Sequence, residues 1–175
     1  MKNILNFVLF QSLWLSCILG AAHQTIWPAV IIVSSMLLLQ LIPSYRHKND
    51  GMFLYTCIVM GFLLDSLLAY FGLIDYHYDL GFSHTAPFWI LFLWSGFALT
   101  LNHSMAWLLN KPRIGTLFII IGAPLSYYSA EKLKAIHINE SMLTLSLISV
   151  MWLIVYHILL ALNSLLNQDR GLRHA

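Results

Sequence analysis

The residue best placed to do chemistry is Asp65, a lone carboxylate inside the otherwise apolar run GFLLDSLLAYFG at 61–72. A carboxylate at membrane depth costs about 2.5 kcal/mol or more on insertion scales, so it needs a partner, a wet cavity or a task. Cys57, Gly61, Asp65 and Ala69 recur every four residues and share one helical stripe. Small residues let helices approach closely in lipid, so the stripe puts Asp65 against neighbouring helices. Counting helical rise sets it roughly 10 Å below the outer boundary. Ser95, Ser126 and Ser149 fall at that depth beside Pro124, with Tyr127 and Glu131 higher, and these residues form the expected intramembrane pocket. Two readings stay open. The pocket is an ion or proton site open to the outside, or hydroxyls and a carbonyl freed at Pro124 hold Asp65 to fix packing.

A second polar group falls near the opposite membrane face: Asn6, Gln11, Asn102, His103 and His157, with Tyr156 alongside. Imidazoles can ligate metal or haem or relay protons. These two are single histidines on separate helices, and no HxxH or HxxxH occurs in the chain. Helical metal sites usually take two ligands from one face, so structural hydrogen bonding is expected, with no metal and no cofactor. His23, His77, Asp79, His84, Glu131 and His137 make an outer rim without tight spacing, which reads as solvated. Trp27, Trp89, Trp107, Tyr76 and Tyr78 read as interface markers. There is no GxSxG, Walker, Rossmann or CxxC motif, and no basic stripe with stacking aromatics for nucleic acid. With one intramembrane carboxylate and no paired group, no catalytic residue is assigned and an enzyme is the less favoured reading.

The elements that must position these residues are membrane spans. Of 175 residues 59% are hydrophobic and 9% charged, and the mean hydropathy is +0.77; soluble domains carry about 25% charged residues. The apolar blocks predict six transmembrane helices over roughly 4–21, 26–42, 52–72, 87–109, 114–130 and 142–162. The blocks have helical length and lack the alternation of barrel strands, so the fold class is all-α, a single integral membrane domain over 1–175. Pro28 lies harmlessly in a first turn, whereas Pro124 predicts a kink or early break. Lys2, Arg46, Lys48, Lys111, Arg113, Arg170 and Arg173 fall on one side and Lys132 and Lys134 on the other, which places both termini in the cytoplasm. LGAA after the first apolar run resembles a cleavage sequence, but Asn6 and Gln11 within that run favour an uncleaved helix. Cys17 and Cys57 fall at different depths and read as unpaired packing residues.

The stretches NFVLFQSLWLSC, GFLLDSLLAYFG and GAPLSYYSAEKL resemble a bacterial family of inner-membrane proteins catalogued only as a domain of unknown function. Its pattern of an early N…FQ…W, a G…D, a Trp-rich span and a GPLxY-like turn corresponds to Asn6, Phe10, Gln11, Trp14, Gly61, Asp65, Trp94, Gly122, Pro124, Leu125 and Tyr127, with Ala123 intervening before the proline. The family's genes often lie beside lipid-modifying ones, such as a cyclopropane fatty-acid synthase. The resemblance therefore implies a multi-pass inner-membrane accessory in envelope lipid or fatty-acid modification, binding membrane lipid or a lipid-modifying partner enzyme. A small proton-coupled transporter using Asp65 is the alternative, and a membrane-embedded enzyme a further one; the residues leave the oligomeric state open.

Overall fold

An apolar segment removed from water must satisfy its own backbone, and the apolar blocks of this chain do so as helices. A computed structural model describes residues 1–78 and 84–172, with side chains to 168. Asp79 of the expected outer rim and Arg173 of the cytoplasmic set lie outside the described residues. Among the described residues the elements are α1 (Lys2–Ala22), α2 (Trp27–Leu39), α3 (Asp50–Tyr70), β1 (Ile74–Tyr76), α4 (Phe88–Ala98), α5 (Ala106–Asn110), α6 (Pro112–Lys132), β2 (Ile136–Ile138) and α7 (Ser141–Leu172). The fold is all-α apart from one short ladder. By length and composition α1, α3 and the Ser141–Gln168 part of α7 can cross a membrane, while α2 and α4 are shorter apolar helices.

Helix α1 packs on α2 and α4, α3 on α4, and α6 on α7. Leu13, Phe53, Trp89, Leu101, Leu108 and Ile148 are fully buried between them. Ile31, Leu38, Leu63, Leu117, Ile121, Val150 and Ile154 are exposed on the outside. A bundle with apolar residues both inside and out suits a lipid surround, where neither surface seeks water.

Four features differ from the sequence expectation. The block at 87–109 is not one helix: α4 stops at Ala98 and α5 starts at Ala106. Between them the Thr100 hydroxyl donates to the Phe97 carbonyl at 2.6 Å, and the Met105 N–H reaches the Thr100 carbonyl at 2.9 Å. Such local bonds compete with the helical ladder. The break is tolerable in apolar surroundings because it is buried in protein, with Leu99, Thr100 and Leu101 at most 1% exposed.

Secondly, the helix does not stop at Pro124, which lies inside α6. Proline lacks the N–H that would reach the carbonyl four residues back, Ile120. The Ser149 hydroxyl of α7 supplies a replacement, donating to that carbonyl at 3.1 Å while sharing its proton with Leu145 O at 3.2 Å. We expect Ser149→Ala to lower stability by about 0.5–1 kcal/mol, and by less in a Pro124→Ala background, where the restored N–H serves Ile120. A double-mutant cycle in detergent measures the difference, and equal losses in both backgrounds would contradict the pairing.

Thirdly, α7 runs ten residues past the expected end at 162, to Leu172. Fourthly, the segments after α3 and α6 pair as antiparallel strands, Ile74 with Ile138, Asp75 with His137 and Tyr76 with Ile136. The alternation I-D-Y and I-H-I turns Ile74, Ile136 and Ile138 inward, each at most 3% exposed.

Candidate functional site

Asp65 lies on the fifth turn of α3 and is 0% exposed. Three neutral donors from three other elements converge on it. The Tyr76 hydroxyl of β1 and the Tyr127 hydroxyl of α6 each donate to Oδ1 at 2.6 Å, and the Trp94 indole N–H of α4 donates to Oδ2 at 2.7 Å. Short bonds to a carboxylate are among the stronger ones available to a protein. Burial first, then the facing Asp65 carboxylate, holds the Tyr76 hydroxyl well above the usual tyrosine range, so it keeps its proton and serves as a donor.

Local sequence explains the convergence. The Trp94 ring lies directly over Gly61 of the α3 stripe, where a Cβ would stand 2.0 Å from the ring. Trp152 of α7 stacks on Trp94, with ring centroids 4.3 Å apart and planes 19° apart. Phe97 meets both edge-on. The indole is thus clamped with its N–H aimed at Asp65. The ladder carries Tyr76 over the same point, and its ring meets Trp89 edge-on.

Beside Asp65 is a cavity of about 90 Å³, walled chiefly by aromatic rings from α1, α4, α6 and α7 and by Tyr76. The Trp14 indole donates to Ser126 Oγ at 3.0 Å across its wall. The Trp152 indole N–H is buried and faces the Tyr127 hydroxyl without making a well-formed hydrogen bond among the described residues.

Of the expected pocket, Tyr127 touches Asp65 and Ser126 lines the cavity. The other three are elsewhere. Ser95 turns back onto Leu91 O of its own helix, Ser149 serves Ile120, and Glu131 accepts from the Ile138 N–H at 3.2 Å beside the ladder. Trp94 and Tyr76 are contacts that depth counting did not supply. Tyr76 and Trp89 are not interface markers, since Tyr76 faces Asp65 and Trp89 is 2% exposed, donating to His77 O.

The second group also divides. Asn6 donates to Leu99 O at 3.0 Å and accepts from the Ser104 hydroxyl at 2.5 Å, holding the break between α4 and α5. Asn102 and His103 converge on Asp50, a carboxylate at the start of α3 that sequence reading did not single out. Asn102 donates to Oδ1 at 2.9 Å and His103 Nε2 lies 3.0 Å from Oδ2, which also accepts from the His47 N–H at 2.7 Å. A carboxylate at a helix N-terminus is favoured by the helix dipole. Asp followed by GMF, opening an apolar block, was the available signal. Gln11 and His157 are exposed and do not join the group; His157 Nδ1 bonds Leu153 O one turn back. Tyr156, its neighbour, is buried and donates to Leu108 O at 2.7 Å. Among the described residues no three of His, Cys, Asp and Glu cluster as a metal site. Cys17 and Cys57 are free and buried.

His103→Gln and His157→Gln should therefore behave differently. The first is expected to lower stability by about 1 kcal/mol, because Asp50 loses or lengthens a partly buried contact. The second should change stability by less than about 0.5 kcal/mol. Matched denaturation of the two variants in detergent checks this, and equal losses would contradict the separation.

A family model described as a protein of unknown function (DUF2878) matches residues 3–158. No curated protein and no solved structure matches the chain significantly.

Proposed function

The chain belongs to the DUF2878 family, and from that premise we propose a function resting on its own cavity: a ligand-binding, multi-pass protein of the bacterial inner membrane, accessory to envelope lipid or fatty-acid modification. It crosses the membrane six times with both termini in the cytoplasm. Its ligand is a membrane lipid or a group presented by a lipid-modifying partner enzyme. Three long apolar helices support the membrane setting. In this arrangement α4, the turns at 99–105 and α5 make one pass together, and α2 crosses with its flanking turns.

The observation that carries the reading is the aromatic cavity beside a fully buried carboxylate whose side-chain partners are two phenols and an indole. Binding needs only a shaped site with a few placed polar groups. Acid–base catalysis needs a second titratable group poised to exchange protons near neutral pH, and phenols do not meet that need. Complete burial of Asp65, with no cationic side chain on it among the described residues, favours proton-coupled transport as the second reading.

Lipid profiling of a deletion strain tests the accessory role. The profile is expected to change and to be restored by the parent chain; an unchanged profile across growth conditions would sink this reading. Proton uptake into proteoliposomes, lost in Asp65→Asn, would promote transport in its place. For topology, a reporter fused after the C-terminus should be active on the cytoplasmic side and one inserted between β1 and α4 on the opposite side. Signals from one side only would change the number of passes by an odd number.

A further inference from the structure

A second cavity, of about 170 Å³, opens at the end of the bundle where α1 begins and α2 ends, and it shares no lining residue with the one beside Asp65. Its mouth is made by Lys2 of α1 and by the turn that follows α2. The Tyr45 and Arg46 N–H groups close that turn on the Ile42 carbonyl, at 2.9 and 3.2 Å. The Lys2 ammonium donates to Ser44 O at 2.6 Å and lies 5.1 Å from the centre of the Tyr45 ring, a cation–π contact. One cation is therefore fixed on the turn that carries the other, Arg46. Both residues are exposed and both line the cavity.

Neither cation has an acid of its own: every ion pair among the described residues involves a histidine. Asp50, the carboxylate behind this wall, is 4% exposed and is already matched by Asn102, His103 and the His47 N–H. Lys2 keeps donors beyond the one given to Ser44, and the planar fork of an arginine fits the oxygens of a phosphate. The lining changes character with depth. Along α1 it passes from Lys2 to Leu9, and along α2, in the opposite chain direction, from Gln40 to Met36. A free ion gains nothing from an apolar floor, whereas a headgroup joined to acyl chains covers it.

We propose that this cavity binds a phosphate group bearing net negative charge, with Lys2 and Arg46 donating to its oxygens. The apolar floor favours an anionic phospholipid headgroup over free phosphate as its source, in keeping with basic pockets between membrane helices. The site depends on the membrane setting alone and stands whether or not the Asp65 cavity holds a ligand.

Native mass spectrometry of the full chain in neutral detergent counts bound lipid on titration with phosphatidylglycerol or with phosphatidylcholine of the same chain length. Phosphatidylglycerol is expected to bind about fivefold or more tightly than phosphatidylcholine. Lys2→Gln and Arg46→Gln should each weaken it about fivefold, the worth of one basic residue beside an anionic headgroup. Both residues are exposed, so neither substitution is expected to unfold the chain. Lys48→Gln removes a charge from the same loop but outside this lining, and in about 0.15 M salt it should weaken binding by less than about twofold. Inorganic phosphate as competitor separates the sources: displacement of the lipid identifies a free-phosphate site, and retention of the lipid identifies the headgroup. Equal affinity for the two lipids, or a loss in Lys48→Gln as large as in Arg46→Gln, overturns the assignment, the second by showing that diffuse surface charge suffices. Either result leaves the accessory role to be decided by the lipid profile.

Discussion

Asp65→Ala is expected to lower stability in detergent by about 2–4 kcal/mol, because it leaves the Trp94 indole and two tyrosine hydroxyls without their acceptor. Each stranded buried donor costs about 1–3 kcal/mol, while hydrogen bonds between membrane helices average about 0.6 kcal/mol. The sum sits between those limits because the acceptor is charged and fully enclosed. Removing a buried charge also relieves its desolvation, an effect of opposite sign. The three short bonds are expected to outweigh that relief, whereas Asp65→Asn should lose under about 1.5 kcal/mol, because with its oxygen turned to the Trp94 N–H its amide can donate to the two tyrosine oxygens. Titration with a denaturing detergent ranks the variants. An alanine variant as stable as the parent would mean that desolvation cancels the bonds and that the carboxylate is kept for a purpose other than holding helices together.

Gly61→Ala should rank second in effect despite adding one methyl group. The new Cβ would stand 2.0–2.2 Å from three atoms of the Trp94 ring. Those atoms belong to a rigid indole stacked on Trp152 at 4.3 Å, so the ring cannot yield without breaking that stack. Overpacking of this kind costs about 1–3 kcal/mol. A ring pushed aside also lengthens the indole bond to Asp65. The expected result is a loss of about 2–3 kcal/mol with a shifted Trp94 emission, whereas Gly51→Ala, where the added atom meets nothing within 4 Å, should be close to neutral. Tolerance of Gly61→Ala without a fluorescence change would contradict the close contact.

Sequence reading recovered some parts of this site and not others, for a geometric reason. The stripe through Cys57, Gly61 and Ala69 was legible because helical spacing decides which residues share a face. Depth was legible too, since rise per residue is fixed. Rotation of each neighbouring helix was not. Ser95 and Trp94 have almost the same depth but point about 100° apart, and it is Trp94 that meets Asp65 while Ser95 bonds its own helix. His157 and Tyr156 show the same: one faces outward, the other is buried under α5 and α6. Tyr76 was missed for another reason. Hydropathy assigns a segment beyond a helix end to the outside, while the I-D-Y and I-H-I alternation on opposite sides of the chain was a strand signal too short to weigh. The break at 99–105 was missed because Thr100 lies between Leu99 and Leu101, and block hydropathy averages over the short polar run Asn102-His103-Ser104 that follows.

The convergence on Asp65 also sets a timetable for biogenesis. Its three donors lie 11, 29 and 62 residues downstream, and none lies upstream. At synthesis rates of about 5–20 residues per second, Tyr127 leaves the ribosome roughly 3–12 s after Asp65. For that interval the nascent chain carries an incompletely matched carboxylate, and the ladder that seats Tyr76 cannot close until residues 136–138 have followed. The protein is therefore completed from its C-terminal half. Chains arrested before Tyr127 present an unsatisfied acid to whatever quality-control protease samples the membrane, whereas chains released beyond Ile138 have it covered.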